Sequence, residues 1–205
     1  MKKVKAVLIG NSGVGKTSIF QRVDTGEYSD DHVLTVGGAY AKVTKTTKNG
    51  QEIDIGLWDT AGQERFRNVI PMYFQRASFI LVIYDVSDQE SFDALPGWID
   101  IAKEKAPADA KVLIVGNKCD LENTRVIDFT QAQNFGMKVG AVLTLEVSAK
   151  TQFGLDVLFQ EIANLSEESS ENKQEVEEDV KLEPADPNER KNKGNDNTRT
   201  RQQCC

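Results

Sequence analysis

Apolar residues in the first 165 positions fall into short runs, most of them followed by a polar, turn-rich segment. Val7-Leu8-Ile9 is the first run, and Thr17 to Val23 behind it has the pattern of a helix. Gly26 to Gly38 is polar and carries glycine and aspartate, which predicts a loop. Ala39 to Lys48 then alternates in parts and Ile53 to Trp58 is strand-like. Asn49-Gly50 between them is a strong hairpin signal, so these two strands are expected to pair antiparallel. Phe79 to Tyr84 is apolar at every position, as in a strand covered on both faces. Lys111 to Gly116 and Val142 to Val147 repeat the strand pattern, with helices predicted over Ser91 to Lys105 and Thr130 to Met137. Leu155, Leu158, Ile162 and Leu165 are spaced three, four and three apart, which gives a last helix one apolar face for the sheet. Strands alternating with helices predict an α/β domain over residues 1–165. Its sheet would be mostly parallel and six-stranded, with one antiparallel strand, right-handed crossovers and helices on both faces.

The pattern stops at Ser166. From there to Gln203 the chain is mainly Glu, Asp, Asn, Gln, Lys and Arg, acidic up to Glu189 and more basic from Arg190 to Arg201. Such a segment buries too little apolar surface to offset its ordering entropy, so residues 166–205 are expected to form a disordered tail. The formal net charge of −7 gives no electrostatic reason to expect nucleic-acid binding. No run of eighteen apolar residues occurs, so no membrane-spanning helix is expected. Met1-Lys2-Lys3-Val4 leads straight into a strand, which argues against a cleavable signal. Cys119 stands alone and Cys204-Cys205 close the chain, a usage that suits a reducing compartment. One histidine, His32, leaves little scope for histidine-based catalysis.

Four of the polar segments carry chemistry. Gly10-Asn11-Ser12-Gly13-Val14-Gly15-Lys16-Thr17 follows a strand and opens a helix, which is the setting a phosphate-cradling P-loop requires. Backbone N–H groups around Gly13, Val14 and Gly15 can converge on an anion at the positive end of a helix dipole. Lys16 is placed to bridge the outer phosphates, and the Thr17 hydroxyl to ligate the accompanying Mg²⁺. The fold expected is therefore that of a P-loop NTPase. Asp59-Thr60-Ala61-Gly62-Gln63 ends the third strand: Asp59 would orient Mg²⁺, Gly62 N–H would meet the γ-phosphate and Gln63 would hold the attacking water. Asn117-Lys118-Cys119-Asp120 ends the fifth. Guanine presents N1–H and a 2-amino group side by side, and the Asp120 carboxylate accepts from both, whereas adenine offers no such pair. Asn117 and Lys118 would brace the loops, with the Lys118 stem along the purine. Ser148-Ala149-Lys150 adds a backbone N–H for guanine O6.

In order along the chain, GNSGVGKT, Thr35, DTAGQ, NKCD and SAK resemble the Ras-like small GTPases over residues 4 to 165. Leu57 to Phe66, Tyr84 to Phe92 and the Cys204-Cys205 terminus are most similar to the Rab family. Gly38, Ala39 and Pro71-Met72-Tyr73 resemble its early-endosomal branch, while Gln75-Arg76-Ala77 departs from the family's Arg-Gly-Ala. The resemblance implies a GTP/GDP switch acting in vesicle or endosomal trafficking. Its nucleotide-binding set would be Ser12, Gly13, Val14, Gly15, Lys16, Thr17, Ser18, Tyr28, Thr35, Gly62, Asn117, Lys118, Asp120, Ser148, Ala149 and Lys150. Thr17, Thr35 and Asp59 would hold Mg²⁺, and Gln63, Lys16 and Thr35 would serve hydrolysis. Tyr28 stands where an aromatic packs on the guanine edge. The partners implied are an exchange factor, a GTPase-activating protein that supplies an arginine, a dissociation inhibitor, a prenylation escort protein and effectors. The G domain would work as a monomer. Cys204 and Cys205 would carry two lipid chains, placing the protein on the cytoplasmic face of intracellular membranes with a cytosolic pool. Two other readings are a GTP-locked scaffold with little hydrolysis and a P-loop small-molecule kinase. Gln63, Thr35 and Gly62 argue against the first, and Asn117 to Asp120 have no purpose in the second.

Overall fold

The structure is a computed structural model that describes residues 1–29, 38–60 and 70–178. Thr35, Gly62, Gln63, His32, Cys204 and Cys205 lie outside the described residues. The chain divides into two units, Met1–Ser170 and Glu171–Cys205. Within the first, six strands form one sheet in the order β2-β3-β1-β4-β5-β6. They are β1 (Lys2–Ile9), β2 (Ala39–Thr46), β3 (Glu52–Asp59), β4 (Phe79–Asp85), β5 (Lys111–Asn117) and β6 (Leu143–Glu146). Only β2 runs antiparallel, against β3, and every other pair is parallel. The predicted mixed sheet is therefore the observed one. The β2–β3 turn closes where Asn49-Gly50 predicts it, with Thr47 N–H donating to Gln51 O at 2.9 Å and Gly50 N–H to Thr47 O at 3.0 Å.

Alternation along the strands sorts the core into two layers. Ala6, Leu8, Leu81 and Val115 pack on one face with Ile19 of α1 (Lys16–Thr25) and with Leu158 and Ile162 of the last helix. Val7, Ile9, Ile80, Val82 and Ile114 face the other way. There they meet Phe74 of α2 (Ile70–Phe74), Phe92 of α3 (Gln89–Asp93), Trp98 of α4 (Leu95–Lys105) and Ala132 of α5 (Phe129–Val139). A parallel sheet buried on both faces explains why its central strands read as unbroken apolar runs.

Two of the predicted helices differ from expectation, and α2 was not predicted at all. The helix predicted over Ser91 to Lys105 is two, α3 and α4, separated at Ala94. Pro96 has no N–H for the Phe92 carbonyl four residues back, so the ladder is interrupted there and a new helix begins. The start is also earlier, because the Asp88 side chain caps α3 by accepting from Glu90 N–H at 3.0 Å. Ser91 is instead buried, with its Oγ accepting the Asp85 N–H at 3.0 Å. The last helix, α6, spans Leu155–Glu178 and so continues beyond Ser166, into the segment expected to be disordered. That expectation rests on a lack of apolar residues, but Glu, Gln and Lys are strong helix formers in their own right. Of the second unit, 171–178 is described, and it is helical.

Candidate nucleotide-binding site

The carboxyl ends of β1, β3, β5 and β6 all lie at one edge of the sheet, where an open α/β sheet binds its ligands. The loop from Gly10 to Gly15 leaves β1 at this edge and enters α1 through Gly15, whose φ of 91° is a left-handed conformation natural to glycine. A Cβ at Gly15 would lie 2.2 Å from Asn117 Nδ2. Ser12 and Gly13 are exposed at the crest of the loop, and Val14 is buried beneath it. Lys16 is buried, and its ammonium turns back over its own loop to donate to Gly10 O at 2.9 Å and Asn11 O at 2.6 Å. An ammonium has three donors, so a third is left for a phosphate oxygen. Burial pushes the Lys16 pKa down to about 8, with the nearby Asp59 carboxylate opposing the shift. A phosphate arriving beside it would restore the ordinary charged form.

Thr17 and Asp59 meet directly: Thr17 Oγ1 donates to Asp59 Oδ2 at 2.7 Å. Asp59 is buried, and the adjacent Thr60 fixes the end of β3 by donating from Oγ1 to Leu8 O at 2.6 Å. One hydroxyl and one carboxylate suit Mg²⁺, a hard cation that keeps several waters and takes its remaining ligands from phosphate. No group of three or more His, Cys, Asp or Glu side chains suited to a metal occurs among the described residues. Thr17 and Asp59 fit a cation whose remaining ligands would come from phosphate and water.

Beyond the P-loop lies a cavity of about 230 Å³ lined in part by Gly15, Ser18, Tyr28, Asn117, Lys118 and Asp120. Ala149 and Lys150 close its far side. Asn117 joins the walls. Its Nδ2 donates to Val14 O at 2.9 Å, and its Oδ1 accepts the Ala149 N–H at 3.2 Å. One amide thus ties the loop after β1 to the loop after β6, and at 1 % exposure it does so away from competing water. Asp120 stands at the cavity mouth with one oxygen oriented by Ser148 Oγ, 2.5 Å away. Each carboxylate oxygen still has a lone pair to offer a base. Lys118 adopts φ 63°, its ammonium pairs with Asp85 at 2.6 Å and the residue lines the cavity. Burial and the Glu146 and Asp120 carboxylates push the thiol of half-buried Cys119 up to about 11, which disfavours the reactive thiolate.

All the predicted site residues within the described chain converge here. The sequence did not single out Asp85 as the partner of Lys118, although it closes the apolar run of β4 at the same edge. It also did not single out Arg125, which forks onto Glu146 with contacts of 2.6 and 3.0 Å and onto Glu122 at 2.9 and 3.2 Å. That clamp joins the segment after Asp120 to the strand before Ser148. Arg22 of α1, bonded to the carbonyls of Ala149 and Lys150, was likewise not anticipated.

A family model described as the Ras family matches residues 5–168. Among named relatives, Ras-related protein Rab-31 of Rattus norvegicus is 33% identical over 211 residues, covering 100% of this chain and 98% of that protein. Ras-related protein Rab-5B of Plasmodium falciparum is 38% identical over 166 residues, 79% of this chain and 77% of the relative. Ras-related protein Rab-12 of Mus musculus is 35% identical over 162 residues, 79% of this chain but 66% of the relative, so the chain spans just under two thirds of that protein. A P-loop, an acidic residue bonded to its threonine and an aspartate-gated cavity, on a sheet of this order and in a chain with these relatives, identify the protein as a Ras-like small GTPase of the Rab family.

Proposed function

We propose that the protein binds GTP and GDP at this edge, hydrolyses GTP slowly to GDP and phosphate, and signals which nucleotide it holds through its loops. The observation that carries the reading is the Asn117 bridge, because it locks the phosphate loop and the base loop into one site at the mouth of which Asp120 stands. In this reading Asp120 accepts from guanine N1–H and the 2-amino group. Tyr28 and the Lys118 stem flank the ring, and an N–H in Ser148 to Lys150 meets O6. Gly13, Val14, Gly15, Lys16 and Ser18 bind the phosphates. Mg²⁺ would be held by Thr17 and Asp59, joined by Thr35, where it neutralises phosphate charge. Gln63 orients the attacking water and Gly62 meets the γ-phosphate. With GTP bound, Thr35 and Gly62 anchor their loops on the terminal phosphate; hydrolysis removes the anchor and both loops relax.

Effectors are recruited by the anchored state and act in membrane trafficking. Tyr40 and Tyr73 flank the two anchored segments in sequence, and both rings contact Trp58, at 5.4 and 6.3 Å between centroids. Tyr40 is 54% exposed, which supports an aromatic partner-facing surface beside the switch. An exchange factor, an activating protein that supplies an arginine, a dissociation inhibitor and a prenylation escort protein complete the cycle around a monomeric G domain. Lipid on Cys204 and Cys205 holds the protein at intracellular membranes, with the tail as a tether.

Hydrolysis tests the switch. In single-turnover assays Gln63→Leu is expected to reduce the intrinsic rate at least about tenfold while GTP affinity changes less than about twofold. A wild-type rate in that variant would remove Gln63 from its role, and negligible hydrolysis by the wild type, with or without an activator, would favour a GTP-locked scaffold. For the anchor, replacing Cys204 and Cys205 with serine is expected to move the cellular protein from the membrane pellet to the supernatant. Continued sedimentation with membranes would contradict lipid anchoring.

A further inference from the structure

Arg22 projects from α1, one turn and a half beyond the Lys16 and Thr17 that face the phosphates. Its guanidinium makes three hydrogen bonds to main-chain carbonyls: Nε to Ala149 O at 2.9 Å, Nη2 to Lys150 O at 2.7 Å and Nη1 to Gly26 O at 2.8 Å. Its Cζ also lies 5.8 Å from the centre of the Tyr28 ring, within cation–π range. One half-buried side chain therefore joins three pieces of the cavity. These are the helix that carries the phosphate-binding lysine, the loop that closes the far wall, and the stretch of chain that presents Tyr28. Ala149 is held from both sides, its carbonyl by Arg22 and its N–H by Asn117. The planar fork is what lets one group serve three carbonyls, and a lysine ammonium cannot reproduce that geometry.

We infer that Arg22 is a positioning residue for the guanine pocket: it holds Ala149, Lys150 and Tyr28 against the base, and thereby sets how fast nucleotide leaves and how sharply guanine is distinguished. It touches neither nucleotide nor reacting atoms. The inference rests on the base-pocket assignment proposed above. Ser148, which orients Asp120, lies in the same loop, so loosening that loop loosens the group that reads the base. An arginine that served only to stabilise the fold would lower the melting temperature and leave base discrimination alone.

The test uses the full chain with Mg²⁺, as wild type, Arg22→Lys and Arg22→Gln. Three quantities are read: the dissociation rate of a methylanthraniloyl-labelled GDP, the ratio of affinities for GDP and inosine diphosphate, and the single-turnover GTP hydrolysis rate. Inosine lacks the 2-amino group, so the ratio reports Asp120. Arg22→Gln is expected to release GDP about tenfold faster, as loss of one or two hydrogen bonds implies, and to lower the GDP preference at least about threefold, with hydrolysis within about twofold of wild type. Arg22→Lys, which keeps the stem and the charge but not the planar fork, is expected to fall between; if Arg22→Gln does not fold, Arg22→Lys alone decides. Wild-type release and wild-type preference in the variant overturn the inference, as does a lower melting temperature with unchanged preference. A wild type that does not prefer GDP over inosine diphosphate overturns the base-pocket assignment itself, and the inference with it.

Discussion

Gly15→Ala is expected to weaken GDP binding by roughly one and a half to four orders of magnitude. The backbone there sits at φ 91°, ψ 27°, where a Cβ costs about 1–2 kcal/mol. The new methyl would also lie 2.2 Å from Asn117 Nδ2, far inside contact distance. A surface side chain would swing away, but Asn117 is buried and engaged at both ends, to Val14 O and from Ala149 N–H. Moving it breaks the bond between the two loops and leaves buried amide groups unpaired, at about 1–3 kcal/mol more. Together these come to about 2–5 kcal/mol, which calorimetric titration with GDP would register as a loss of about one and a half to four decades. Gly50→Ala supplies the comparison. Its φ is 82°, yet a Cβ there meets nothing within 4 Å, and it lies in the β2–β3 turn. It should cost stability through backbone strain alone and leave GDP affinity within about twofold. Equal affinities for Gly15→Ala and wild type would mean that the Asn117 bridge does not organise the site.

Asp120→Asn is expected to exchange one base preference for another. The two carboxylate oxygens can accept one guanine donor each, whereas an amide can accept only through its single oxygen. Losing a charge-assisted contact costs about 1.5–3 kcal/mol, so GDP affinity should fall about 10- to 150-fold. Xanthine carries a carbonyl where guanine carries the 2-amino group, and the amide N–H₂ introduced by the substitution would donate to it. A gain of similar size for xanthosine diphosphate would shift the preference between the two bases by up to about four orders of magnitude. Competition between GDP and xanthosine diphosphate on the purified variant measures this directly. An unchanged preference would show that Asp120 does not read the base.

Both expectations turn on residues whose chemistry is local in sequence, which is why they were legible. GNSGVGKT, Asp59-Thr60 and NKCD each place their groups within a few residues of a strand end, and strand ends converge automatically once the sheet is parallel. The apolar runs were equally direct, because burial on both faces leaves no polar alternation to misread. What was missed is tertiary. Arg22 reads as any solvated helix arginine, since its partners are carbonyls supplied by residues 26, 149 and 150, and a carbonyl has no signature in sequence. Arg125 and Glu146 stand 21 positions apart and meet only because β5 and β6 are neighbours. The interruption at Ala94 was missed for a different reason: one helix was predicted over Ser91 to Lys105 without regard to Pro96, whose missing donor starts a new helix. The extent of α6 was missed because composition was weighed for burial and not for helix propensity.

The central claim is that four strand-end loops, the first and last of these bound together through Asn117, form one site that accepts guanine and rejects adenine. Displacement of labelled GDP from the purified chain by GTP and by ATP, with Mg²⁺ present, tests it most directly. A pocket built to accept two neighbouring base donors should require at least about a thousandfold more ATP than GTP. Displacement by both at similar concentrations, or by neither, would contradict the account.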